Sequence, residues 1–220
     1  MIREQQTKRI RVSWVLSAST FLLLVACGGP LKHTLKPSLV PEDKRAELEP
    51  SQLETQNAEA ARDAAQSDLE VKKQELKDAK IALKERESDI KIAKATHGVE
   101  GAKADAGRGA STKTSKAELK SAKIRRDIAE AQLELDEEEL ELAEFKAKEA
   151  KVQWLVALAN YEEAKAERIA SDDPKIVEKK RKVSEQLTVK QEDLKEASAA
   201  VAKQQKEVDK ALDRVEAAAN

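Results

Sequence analysis

The 220-residue sequence has little of what a compact domain is usually built from. Aromatic residues make up 2% of it, and two of the five, Trp14 and Phe21, fall in the first 26 positions. Phe145, Trp154 and Tyr161 are then all that remains, too small a complement to line an apolar ligand pocket. A single Cys excludes a disulfide framework. The two imidazoles, His33 and His97, are far apart in sequence and do not form a metal-ligand cluster. No Ser or Thr stands at a recognisable motif spacing from either His. Large net charge is also missing: 41 basic side chains face 42 acidic ones, which argues against nucleic-acid binding by bulk charge. The expectation is a non-enzymatic chain with no cofactor, no metal, no nucleic-acid partner and no small-molecule substrate.

Glycine and proline are scarce as well, at six and five residues. Gly28, Gly29, Pro30, Pro37 and Pro41 mark a tether over 27–41, with Pro50 just beyond it. Gly98, Gly101, Gly107 and Gly109 mark one central loop, and Pro174 a second break. The stretches 51–97, 110–173 and 175–220 contain neither residue. Gly and Pro cost a helix interior about 1 and 3 kcal/mol, so their exclusion over such lengths signals helix.

What is present is charge, 38% of the chain, arranged around sevenfold apolar repeats. Leu69, Leu76, Leu83 and Ile90 form one row; Ala65, Ala79 and Ala93 accompany it, interrupted by Lys72 and Arg86. Leu187, Leu194, Val201, Val208 and Val215 form another, beside Ile176, Val183, Ala197 and Ala211, with Lys190 and Gln204 as polar interruptions. Sustained sevens flanked by charge indicate coiled-coil packing. The middle stretch carries three rows. Leu133, Leu140, Ala147, Trp154 and Tyr161 make the first; Ile128, Leu135, Leu142 and Val156 the second; Ala122, Ala129, Ala143, Ala150, Ala157 and Ala164 the third. So wide a stripe suits a helix with two neighbours.

The fold expected is all-α, an elongated antiparallel three-helix coiled-coil bundle occupying 42–220. Its helices lie at about 51–97, 113–170 and 174–218, joined first by a loop over 98–112. Ser171 to Pro174 supplies cap oxygens and a first-turn Pro for the third helix. A tight reversal near Asp172 pairs residues whose numbers sum to roughly 344. It brings Glu137, Glu138 and Glu139 near Lys203, Lys206 and Lys210, and Glu162, Glu163 and Glu167 near Lys179, Lys180, Arg181 and Lys182. A reversal near Asp105 brings the same acidic run near Lys72, Lys73 and Lys77.

The first 26 residues read differently. Arg3, Lys8, Arg9 and Arg11 precede an uncharged run from Val12 to Val25, a basic and then apolar pattern typical of a signal peptide. The run is shorter than the roughly 20 residues of a spanning helix. It ends in Leu24-Val25-Ala26-Cys27. These four residues resemble the lipobox of bacterial lipoproteins, with an aliphatic residue at −3 and a small one at −1. The resemblance covers residues 1 to about 29. It implies cleavage after Ala26, a diacylglyceryl group on the Cys27 thiol, and acylation of the new amino group with a fatty acid such as palmitate. The mature chain would then hold the membrane through acylated Cys27. Gly28 in place of Asp implies the periplasmic face of the outer membrane, if the organism is Gram-negative.

The remaining candidates are surfaces. Phe145, Trp154, Leu155, Leu158 and Tyr161 are the candidate contact for an envelope protein or a second copy, weighed against simple burial between the outer helices. The 98–112 tip is the other. Gly107 to Thr114 lacks the Gly-Lys step and the preceding strand of a phosphate loop. The acidic run Asp136–Glu139 lacks the alternating ligands and Gly turn of an EF-hand. The expected role is a lipid-anchored envelope spacer, scaffold or adaptor, or else a regulatory module that docks an envelope enzyme or channel.

Overall fold

The structure is a computed structural model that describes residues 30–106 and 112–219. The signal region, Cys27 and the stretch 107–111 lie outside the described residues. The expected all-α, elongated three-helix arrangement is found: α1 (Glu49–Asp105), α2 (Thr112–Arg168) and α3 (Pro174–Ala219). No strand occurs among the described residues. Both α1 and α2 have 57 residues, about 85 Å of helix at 1.5 Å per residue.

Packing follows the sevenfold rows. In α1 the side chains at 58, 62, 65, 69, 72, 76, 79, 83, 90, 93 and 97 are buried or half-buried, spaced mostly by threes and fours. On α2 the first and third apolar rows together make the seam for α1. Ala157 accepts a hydrogen bond from Thr55, Trp154 lies beneath the Arg62 guanidinium, and Ser115 meets His97. The second row faces α3, where Leu135 and Leu142 pack with Val208 and Ala211. The α3 stripe lies on a different side of α2 from the α1 stripe, because the second row stands two positions from the first, about 200° around the helix. Hence α1 and α3 both pack along α2 and make almost no contact with each other.

Polar residues within the seams fix the register. Lys72 Nζ reaches Glu139 at 2.7 Å, as the reversal near Asp105 requires. Gln204 donates to Glu138 Oε2 at 2.7 Å, and Ser198 to Glu149 at 2.6 Å, in the register of the second reversal. The expected ion pairs between the 162–167 acids and the 179–182 bases do not form. Glu163 instead accepts from Ser184; Arg181 and Lys182 bond Glu178 within their own helix. Local pairs one turn apart need no cross-helix side-chain ordering, so they win at exposed positions.

Two boundaries need correction. The first helix does not stop at 97: it runs on through Gly98 and Gly101 to Asp105, leaving 106–111 as the connection. Ile90, Ala93, His97 and Glu100 continue its seam, and that packing outweighs about 1 kcal/mol per glycine. His97 is therefore mid-helix, not at a C-terminus, and its Nδ1 lies 2.9 Å from the buried Ser115 Oγ. The second correction concerns the tether. From Pro30 onward it packs, through three single 3-10 turns at Pro37–Leu39, Glu42–Lys44 and Ala46–Leu48. Leu35, Val40 and Leu48 are buried against Ala166, Ile169 and Val183.

The α2–α3 turn behaves as its residues dictate. Ser171 Oγ accepts from Asp173 N, Asp173 Oδ1 accepts from Lys175 N at 2.8 Å, and Pro174 opens α3. Because α3 has 46 residues against the 57 of α2, it ends opposite the region of Asp127. Beyond that level the molecule is a two-helix arm.

Candidate functional site

The rod has two ends of different construction. At one, the chain that follows Cys27 is fastened to α2 and α3. Leu35 N donates to Glu162 Oε2 at 2.7 Å, and Lys165 Nζ donates to Leu35 O at 2.8 Å. The same ammonium pairs with Glu162 Oε1 at 2.6 Å, with both side chains 5% exposed or less. Its other neighbour is the face of Tyr161, 4.7 Å from the ring centre. One residue pair thus satisfies both backbone groups of Leu35 while each partner neutralises the other, the condition under which buried charges are tolerated.

Gln186 of α3 repeats the device. Its Oε1 accepts from the backbone N of Lys32 and His33, and its Nε2 donates to His33 O. Arg168 adds an exposed pair with Glu47 at 3.1 Å. Arg45 Nε donates to Val40 O, and Lys180 to Ile169 O, closing the carbonyls of the bends. Sequence reading missed this clamp because it took Pro and Gly as evidence against packing. The signal was there in Leu35, Val40 and Leu48, apolar residues with no place in any sevenfold row. It was also there in Glu162 and Lys165, which belong to neither seam of α2.

The candidate contact residues do not form one surface. Phe145 is half-buried on the α3 side of α2, with the Lys148 ammonium 5.1 Å from its ring centre. Trp154 is half-buried on the α1 side under Arg62, 4.6 Å away. Tyr161 packs against the clamp's apolar cluster. Leu155 is 1% exposed and is removed from any contact list, while Leu158 is half-buried. The apolar run is spread around α2 because it serves two neighbours and the clamped segment at once.

Among the described residues no group of three His, Cys, Asp or Glu is placed to hold a metal ion. No helix there is long and apolar enough to cross a membrane. An open furrow at Ile81, Glu85, Ser88 and Asp89 follows the outer side of α1 and encloses nothing. Cys27 lies outside the described residues.

The acidic run is electrostatically crowded. Burial first, then Glu138 and Glu144, push the Glu141 carboxyl above the usual range. Burial likewise raises Asp136, with Glu139 and Glu75 adding to it against a hydrogen bond from Gln132 and the charge of Lys72. Lys72, held between Glu139 and Glu75, is shifted further toward its charged form. The run is an acidic face of the seam that Lys72 and Gln132 offset only in part. No family model matches the chain, and no match to it was found among the curated proteins or the solved structures.

Proposed function

We propose that the chain is a lipid-anchored protein of the cell envelope, in which the helices act as a spacer or scaffold between the membrane and a partner. The observation that carries this reading is the polarity of the rod. The segment around Leu35 is clamped near one end, and the start of α2 lies at the other, about 75 Å away. Leu35 stands eight positions after Cys27, a reach of no more than about 30 Å. Acylation of Cys27 would therefore hold the clamped end close to the bilayer and leave the arm free to reach outward. The lipobox-like Leu24-Val25-Ala26-Cys27 supports the anchor, and Gly28 supports an outer-membrane address in a Gram-negative cell.

The test is Cys27→Ala. Fatty-acid labelling and membrane retention of the wild type, both lost in the variant, are expected. Equal labelling of the two chains removes the lipoprotein reading.

A second reading, a regulatory module docking an envelope partner, is favoured at the arm and not at Trp154. The arm outruns α3 and offers open helix faces, whereas Trp154 is engaged by Arg62.

A further inference from the structure

The arm differs from the rest of the chain in charge. Between positions 90 and 127 lie ten Lys and Arg residues and only four acids, a net charge of +6 in a chain whose total is −1. Six of these basic residues, all lysines, share one side of the arm. On α2, Lys113, Lys116, Lys120 and Lys123 follow each other by three, four and three residues, so they share one helix face, and all four are exposed. On α1, Lys91 and Lys94 are exposed on the corresponding side. That side is identified further down the hairpin, where Lys80 of α1 meets Glu137 of α2 at 3.6 Å. Lys80 and Glu137 stand two heptads from Lys94 and Lys123 in their helices, so both lysines fall on the same face of the pair.

None of the six lysines is in an ion pair among the described residues. The nearest acids of this face, Glu87, Asp105 and Asp127, stand at its ends. On α2 the four lysines span about 15 Å, and α1 lies alongside at the usual 8–10 Å helix spacing. The face carries no aromatic side chain, and the Arg at its edge, Arg126, is engaged by Asp127. It offers nothing on which a base could stack and no bidentate fork for a shaped anion. What remains is a flat set of mobile point charges, suited to an extended surface of phosphate charge.

We propose that this lysine face of the arm, formed by Lys91, Lys94, Lys113, Lys116, Lys120 and Lys123, docks on an anionic phospholipid membrane. It gives the rod an attachment at the end opposite its clamp. This deepens the spacer reading but does not require Cys27 to be acylated. Attraction of this kind adds per lysine and fades beyond a Debye length, so it is strong at low salt and lost at high salt.

The test uses the full chain carrying Cys27→Ala throughout, so that binding cannot come from the acyl group. Sedimentation with vesicles of phosphatidylglycerol and phosphatidylcholine is compared with phosphatidylcholine alone, at 0.05 and 0.5 M salt. One variant replaces Lys113, Lys116, Lys120 and Lys123 with Gln; a matched control replaces the exposed Lys175, Lys179, Lys195 and Lys203 of α3. Circular dichroism checks that both remain helical. The arm variant is expected to lose roughly 100-fold or more in partition to anionic vesicles, and the control less than about fivefold. Equal loss in both variants, or equal binding to neutral vesicles, overturns the proposal. So does salt-dependent self-association in place of vesicle binding, which would give the lysines to Glu130, Glu134, Glu137 and Glu141 of a second copy. If fatty-acid labelling fails while this binding persists, the anchor is refuted and the lysine face stands.

Discussion

Glu162 and Lys165, one turn apart on α2, form a buried 2.6 Å ion pair that holds Leu35 by both its N–H and its C=O. The pair belongs to neither coiled-coil seam, and it ties the segment around Leu35 to the middle helix.

Removing either partner leaves a desolvated charge and an unsatisfied backbone group. Glu162→Ala and Lys165→Met should each destabilise the clamped end by about 3–5 kcal/mol. The double replacement should cost clearly less than the sum, since no charge is then stranded. Denaturant unfolding of the four proteins measures this. Additive losses would mean that the two residues act independently.

The arm has one helix-to-helix seam where the body has two, so its amides should exchange faster in 91–105 and 113–127 than in 135–160. Nothing lies within 4 Å of a Cβ built on Gly98 or Gly101. Alanine at each should therefore stabilise the arm by about 1 kcal/mol and slow exchange there without affecting 135–160. A loss of stability would show that these glycines serve a backbone conformation other than helix.

Acid should act on different parts with opposite sign. Asp136 and Glu141 are raised in the fold, so their protonated forms favour folding. That contribution is complete below their unfolded values near about 4 and lost as pH rises through the folded ones. Asp136→Asn should then stabilise the protein at pH 7, by less than about 1 kcal/mol after solvent screening, with no gain below about pH 4. Glu178 goes the other way: hydrogen bonds from Arg181 and Lys182 hold it at about 2. Its support of the start of α3 is present above the ordinary glutamate range and disappears as pH falls toward that value. Unfolding midpoints of wild type and Asp136→Asn between pH 3 and 7 check the first sign. NMR titration of the Glu178 carboxyl checks the second.

Labels at Ala106 and Asp172, introduced as cysteines in a Cys27→Ala chain, should lie about a whole α2 length apart, near 85 Å. Single-molecule energy transfer would then be very low. Efficient transfer would mean that the helices fold back on themselves.

Much of this was legible in the rows of sevens. Leu135 and Leu142 fall in one row of sevens, Trp154 in a second and Ala157 in a third; the first of these faces α3 and the other two face α1. Lys72 was correctly brought to Glu139 because antiparallel register follows from the turn alone. At Gly98 the reading stopped too soon. A glycine is a cost of fixed size, and only the seam on the far side, at Glu100 and Ser115, decided that it would be met.

Periodicity and charge balance by themselves determined the helices, their order, the central place of α2 and the antiparallel pairing, because these depend on which residues repeat along one chain. Tertiary structure decided the clamp at Leu35, the one-sided lysine face of the arm and the dispersal of Phe145, Trp154 and Leu155. Each depends on distances between elements far apart in sequence. An extended segment such as 30–36 has no period of its own to announce what it packs against. Its place is set by two buried side chains more than 120 positions away.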